Sequence, residues 1–120
     1  MKNKQVEATV MEIIARYQPI LLLNRNTFIL KYGVENPNSL MECVFNYPYL
    51  NVTLLYGDKL TEYFKEKRDI TQYVVHEMCH VITDPLYAKA IERWVGRDEI
   101  RDEREMLTDY ITNIVLINKL

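Results

Sequence analysis

The two histidines of this chain stand four residues apart, as His76 and His80, and Glu77 directly follows the first of them. Residues four apart lie on one face of an α-helix, so a helix here would present both imidazoles to the same point. Two imidazoles side by side fit an apolar core poorly unless a metal ion joins them. The spacing therefore predicts a helix that carries a metal site.

The residues around this motif predict where its helix begins and ends. Asp69 or Thr71 can cap the start, because short polar side chains accept hydrogen bonds from the first backbone N–H groups. Pro85 predicts the end, since proline lacks a backbone donor and restricts the residue before it. We expect a half-buried helix over residues 69–83. Its apolar stripe at helical spacing comprises Ile70, Tyr73, Val74, Met78, Val81 and Ile82.

The rest of the chain predicts a helix, a small sheet and a second helical region, which together make an α+β fold in a single domain over residues 1–120. Apolar spacing favours an N-terminal helix that either stops near Pro19 or continues to residue 23. Turn residues at Gly33, at 36–39 and at 46–48 separate three strands, which we expect to form an antiparallel meander. The predicted elements are a helix at 4–18, strands at 27–32, 40–45 and 50–56, a short helix or loop at 59–67, a short helix at 86–95 stopped by Gly96, and a long helix at 98–117.

Composition excludes several classes of protein. The formal charge is −2 with both signs interspersed, so no nucleic-acid-binding surface is expected. The longest apolar run, 20–23, is far shorter than a membrane span. The N-terminus lacks the apolar segment of a secretory signal, so we expect a cytoplasmic protein. In that reducing compartment Cys43 and Cys79 are expected to remain free, buried thiols.

The motif H-E-x-x-H is typical of zinc sites in which the glutamate takes a proton from a water on the metal. Such a site needs a third protein ligand and an open position. No third histidine exists, so that ligand is expected to be an acid, a thiolate or a group from another subunit. Cys79 is a poor candidate because it points about 100° away from His80 on the helix. The acidic candidates are Glu92, Asp98, Glu99, Asp102, Glu103 and Glu105.

Residues 69–115 resemble the gluzincin metallopeptidases, which pair H-E-x-x-H with E-x-x-x-D on a later helix. Here that second motif is matched by Glu105 and Asp109. The resemblance implies that Glu105 is the third zinc ligand and that Asp109 orients His76. The segment 18–56, a helix end followed by three strands, is also similar to small metallopeptidase-like proteins of phages and prophages, and the chain length is similar to that of minigluzincins. The fold implied is a minimal zincin-like domain with a small, mostly antiparallel sheet.

The apolar pattern of the last helix points to a different acid. Ile100, Leu107, Ile111 and Ile114 share a face with Glu103, whereas Glu105 and Asp109 lie nearly opposite. If that apolar face packs against the metal helix, Glu103 is the ligand. We favour Glu105, because a helix in so small a domain can bury two faces and Leu116 lies on the same side as Glu105.

The function expected from this resemblance is hydrolysis of peptide bonds, with Glu77 as general base and a peptide or protein as substrate. In related folds the substrate adds to the edge of the sheet, and we expect residues 50–56 to supply that edge. A tyrosine could steady the oxyanion, although the sequence does not indicate which one. The alternatives are a latent or non-catalytic module in which zinc holds helices together, and a phage-derived protein that binds a host factor.

Overall fold

The computed structural model describes residues 1–45, 50–91 and 97–117. Within these ranges the chain forms an α+β fold of helices around a three-stranded sheet, as the sequence predicts. The elements are α1 (Lys4–Tyr17), β1 (Thr27–Tyr32), β2 (Met41–Phe45), β3 (Asn51–Tyr56), α2 (Asp58–Lys65), α3 (Thr71–Ile91) and α4 (Arg97–Ile117). The three strands, the first and last helices and the helical form of the 59–67 region are therefore confirmed.

The sheet is mixed, and the predicted meander is wrong. The strand order is β1-β3-β2, with β3 parallel to β1 and antiparallel to β2. Val52, Leu54 and Tyr56 of β3 are fully buried, whereas β1 has no buried residue. The strand with the most buried side chains thus takes the central position. The turn predicted at 46–48 lies outside the described residues.

The apolar core lies between α1, the sheet and one side of α3. Helix α1 begins at a cap in which Oδ1 of Asn3 accepts the N–H groups of two residues of the first turn. Its buried residues follow helical spacing, so one stripe faces the core. The core also draws on β3, the start of α2 and α3. The buried apolar residues of these elements are Val6, Val10, Ile14, Tyr17, Val52, Leu54, Tyr56, Leu60, Val74, Val75, Met78, Cys79 and Val81.

Helix α3 begins at Thr71, two residues after its expected start, and continues past its expected end. The carboxylate of Asp69 accepts the N–H of Thr71 at 2.9 Å, so Asp69 satisfies a backbone donor at the start of the helix. The helix then passes through Pro85 and ends at Ile91, so the expected stop at residue 83 and the separate helix from residue 86 are wrong. A proline in a helix removes one backbone hydrogen bond, and that local cost does not end a helix that packs along its length. Residues 92–96, including Gly96, lie outside the described residues.

Helix α4 packs against α3 through a partly polar contact, and Val115 near its end joins the apolar core. Thr83 and Thr108 are both buried, and their hydroxyl oxygens lie 2.9 Å apart. Ile82, expected in the buried stripe of α3, is instead 43% exposed. Among the described residues no helix is long and apolar enough to cross a membrane.

Candidate metal centre

Three side chains from α3 and α4 converge with their ligand atoms almost in contact. Nε2 of His76 lies 3.2 Å from Nε2 of His80. The carboxylate of Glu105 lies 3.3 Å from the first of these nitrogens and 3.4 Å from the second. Among the described residues, these three form a group that could hold a metal ion. The sequence predicted the two histidines from their spacing and Glu105 from the resemblance.

Each imidazole is oriented by a second carboxylate at its far nitrogen. Nδ1 of His76 lies 2.9 Å from Oδ1 of Asp109, the contact that the resemblance implies. Nδ1 of His80 lies 3.0 Å from Oδ1 of Asp84, a contact that the sequence reading missed. Because an ionised carboxylate can only accept, each Nδ1 carries the hydrogen and each Nε2 keeps its lone pair. Four residues separate His80 from Asp84, so helical spacing could have revealed this pair.

This donor set requires a positive charge at its centre. Two imidazole lone pairs and a carboxylate repel one another at distances of 3.2–3.4 Å unless a proton or a metal ion lies between them. Ligand atoms placed tetrahedrally at about 2.0–2.1 Å from a zinc ion lie about 3.3–3.4 Å apart. The distance of 3.2 Å between the two imidazole nitrogens is close to one edge of such a tetrahedron. Each nitrogen faces a different oxygen of Glu105, and one ligand atom from each of the three residues lies within 4.8 Å of the others, so the residues present fit a zinc ion with one position left open.

The acids around His76 favour the same positive charge. Burial of the imidazole lowers its pKa, but the contact with Glu105 and the charges of Glu77, Glu105 and Asp109 outweigh burial, so the pKa of His76 is raised. The contact with His76 lowers the pKa of Glu105 despite its partial burial. A proton on His76 and a metal ion are therefore alternative ways to neutralise the same group of acids.

Glu77 lies beside the three convergent side chains and is not one of them. Its nearest carboxylate oxygen is 4.0 Å from Nε2 of His76, and its side chain is 13% exposed. Burial raises the pKa of Glu77 to about 7, with the two histidines opposing that shift and the acids Glu105 and Asp84 adding to it. A carboxylate with a pKa near neutrality can both accept and return a proton, as a general base must.

Arg104 is a further charged residue at the centre, and nothing in the sequence pattern marked it. Its guanidinium lies 3.7 Å from Asp84 and 3.4 Å from Glu105. Arg104 therefore connects the acid that orients His80 with the acid that faces both imidazoles. A half-buried cation in this position lowers the pKa of Glu105 and limits the movement of both carboxylates.

The convergent side chains open onto a cavity of about 300 Å³. Met41, Glu42 and Cys43 of β2 line the side opposite the histidines, and Ser39 lies at the entry to that strand. An adjoining cavity of about 210 Å³ adds Tyr73, one turn before His76. A larger cavity of about 710 Å³ lies elsewhere, against Arg16 and Arg68, and includes none of the convergent residues.

The two cysteines are free, as predicted, but only Cys79 is buried. Cys43 is half-buried and lines the cavity. Burial raises the pKa of the Cys43 thiol, and the charges of Glu77 and Asp84 raise it further. Burial also raises the pKa of Cys79. Neither cysteine belongs to the described group of three side chains that could hold a metal ion.

The other acidic candidates do not join the described group. Glu103 and Asp102 are exposed, and α4 is turned so that Glu105 rather than Glu103 faces α3. Leu107 and Ile114 of the apolar face are 43% and 59% exposed, so the alternative orientation is wrong. The position of Glu92 and the side chains of Asp98 and Glu99 lie outside the described residues.

No family model, curated protein or solved structure matches this chain. The function of the chain is therefore inferred from the chemistry of the side chains at this centre. Four features support the inference: the convergent nitrogen and oxygen atoms, the carboxylates behind the imidazoles, the partly buried Glu77, and the cavity beside β2.

Proposed function

We propose that this chain is a zinc-dependent metallopeptidase of the gluzincin type, in which His76, His80 and Glu105 hold the metal. The observation that carries the proposal is the convergence of the two imidazole nitrogens, 3.2 Å apart, with the carboxylate of Glu105, whose two oxygens lie 3.3 and 3.4 Å from one nitrogen each. The presence of Glu77 beside an open fourth position supports a catalytic site over a closed structural one.

A zinc ion bound there would polarise a carbonyl group and lower the pKa of a water molecule. Glu77 would take a proton from that water and pass it to the leaving amine. Asp109 and Asp84 would keep the two imidazoles in the tautomer that offers Nε2. Arg104 would restrain Asp84 and Glu105 while the charge at the centre changes.

The substrate path that we propose differs from the one expected from sequence. Strand β3, over residues 51–56, is the central strand and has no unpaired edge to offer. Strand β2 is an edge strand, and three of its residues line the cavity beside the histidines. An extended peptide that paired with β2 would pass Glu77 and the open corner of the centre.

One observation favours the alternative of a zinc-stabilised module without catalysis. The centre joins α3 to α4 next to the buried contact between Thr83 and Thr108, so a metal there would also hold the helices together. A purely structural zinc site needs the histidines and Glu105 but has no use for Glu77. Glu77 is therefore the residue that separates the two functions.

The first experiment measures the metal in protein purified without chelator. About one zinc per chain is expected, with loss of that zinc in chelator and in acid, since protonated imidazoles do not bind a metal. Elemental analysis that finds no zinc, together with a melting temperature that does not respond to added zinc, would contradict the site.

The second experiment compares wild type with Glu77→Gln in cleavage of a diverse peptide library. The variant should keep its zinc and its fold but lose about a hundredfold to ten-thousandfold in rate, the usual contribution of a general base. Glu12→Gln, at an exposed position on α1, is the matched control and should cleave like wild type. If wild type binds zinc and a small hydroxamate but cuts nothing, the non-catalytic function is correct.

A further inference from the structure

The solvent-facing side of α4 carries an apolar stripe. Residues 97–105 contain eight charged residues out of nine, whereas Asp109 is the one charged residue between 106 and 117. Leu107, Tyr110, Ile114 and Ile117 follow the alternating spacing of three and four residues with which one helix packs along another. Their exposed fractions are 43%, 61%, 59% and 77%, and Met106 beside them is 48% exposed.

This stripe lies on the opposite side of α4 from the face that packs inside the molecule. The buried residues of α4 are Thr108, Thr112 and Val115, and Ile111 and Leu116 are partly buried against the core. A helix that served only to deliver Glu105 and Asp109 would carry polar or charged residues on its outer face. The large apolar residues that α4 carries there instead call for a second packing partner on the outer face.

We propose that the stripe is a homodimer interface, in which α4 packs against α4 of a second copy of this chain. At these exposed fractions the five side chains present roughly 500 Å² of surface, at the upper end for patches on monomers. Two such stripes bury about 1,000 Å² in all, the size at which specific interfaces begin. A stripe with a single spacing along one straight helix is also complementary to itself, as a two-fold interface requires.

The charges of α4 favour an antiparallel pair. In a parallel pair Glu103 would lie opposite Glu103 and the charged N-terminal halves would run side by side. In an antiparallel pair centred between Tyr110 and Ile114, Leu107 meets Ile117 of the partner copy. The charged halves then extend beyond the contact on opposite sides, and the helix dipoles oppose each other favourably.

Sedimentation of wild type over a range of concentrations tests the interface without reference to zinc or activity. Wild type should form a reversible dimer with a dissociation constant on the order of micromolar, as suits a small interface. Met106→Lys and Ile117→Lys should each weaken association at least tenfold. Met11→Lys is the matched control, because Met11 is 42% exposed on α1, and it should associate like wild type. A wild type that stays monomeric, or stripe variants that dimerise like the control, would overturn the proposal.

Cross-linking tests the orientation. A mixture of Leu107→Cys and Ile117→Cys chains should form a mixed disulfide readily, while each variant alone should cross-link to itself slowly. Self-linked Leu107→Cys as the main product would mean a parallel pair and overturn the antiparallel arrangement. Circular dichroism of each variant shows whether the fold is retained, and the exposed positions of both residues make that the expected result.

Discussion

The two sides of α3 are packed by different kinds of chemistry. Toward α1 and the sheet, α3 buries Val74, Val75 and Met78 completely in an apolar layer. Toward α4 it presents His76, His80 and Thr83, which meet acids and a threonine. The first side owes its stability to area removed from water, and the second depends on paired polar groups and on the charge at the metal centre.

This difference separates the support of the site from its assembly. The apolar side fixes the position of the α3 backbone that carries both imidazoles, whether or not a metal is bound. The polar side brings Glu105 and Asp109 to those imidazoles, and without a positive charge its acids repel one another. The histidine half of the centre is therefore preorganised, while the α4 half should respond to metal and to pH.

The largest effect is expected in the apolar layer. Leu54→Ala, in the fully buried centre of β3, should lower the free energy of unfolding by about 2–5 kcal/mol through lost burial and a residual cavity. The loss should be the same with zinc and with chelator, because the layer does not include the metal centre. Denaturant unfolding measures it. Leu50→Ala, at a residue that is 45% exposed, is the control and should change stability by less than about 0.5 kcal/mol.

Removing the metal should affect the polar side next in size. Zinc at a hundred times its dissociation constant would add about 2.7 kcal/mol to stability. Glu105→Gln should weaken zinc binding at least tenfold, or about 1.4 kcal/mol. Asp109→Asn should weaken it by less, because Asp109 acts through His76. Isothermal titration with zinc measures the affinity of wild type and of both variants.

Glu103→Gln is the matched control for these variants, since Glu103 lies on the same helix with an exposed side chain. It should bind zinc like wild type. A greater loss for Glu103→Gln than for Glu105→Gln would mean that α4 presents its other face to α3. In that case Glu103, and not Glu105, would be the acid that faces His76 and His80.

The smallest effect is expected at the pair of threonines. The Thr108 hydroxyl donates to the carbonyl of Arg104 at 2.7 Å, so it accepts from Thr83. Thr83→Val and Thr108→Val should each cost about 1 kcal/mol, and the double variant should cost less than the two together. Thermal unfolding of the four proteins completes the cycle. Strict additivity would show that the hydroxyl pair contributes nothing to the α3–α4 contact.

The sequence was most informative about the metal centre, because its geometry is mainly local. His76, Glu77 and His80 share one helix, so their relative positions follow from helical spacing alone. Asp84 could have been found by the same rule. Glu105 required knowledge of a distant helix, which the resemblance supplied while the apolar pattern of α4 pointed to Glu103. That pattern indicated the wrong acid because Leu107 and Ile114, on the same face as Glu103, are exposed to solvent.

The arrangement of the sheet was less predictable for a physical reason. Strand existence follows from local composition, and all three strands were located to within one residue. Strand order depends on which strand buries most surface against α1 and α3, and that is decided by contacts distant in sequence. The position of Arg104 depends likewise on how α4 rotates against α3, which no local pattern specifies.

The threonine contact described above does not by itself fix the position of α4 along α3. Thr108 and Thr112 are four residues apart and both buried, so sliding α4 by one helical turn, about 5.4 Å, would bring Thr112 to Thr83. Packed helices can occupy discrete positions one helical turn apart and shift from one to the other. The contact between threonine hydroxyls alone would favour neither position of α4 strongly.

The positions of Glu105 and Asp109 distinguish the observed setting of α4 from the slid one. After the slide Asp109 would stand in the place of Glu105, with a side chain one methylene shorter, and the uncharged Asn113 would replace Asp109 behind His76. The slid position therefore has a shorter reach at one imidazole nitrogen and no ion pair at the other. A metal ion or proton held by His76, His80 and Glu105 would therefore favour the observed position of α4 along α3 over the slid one.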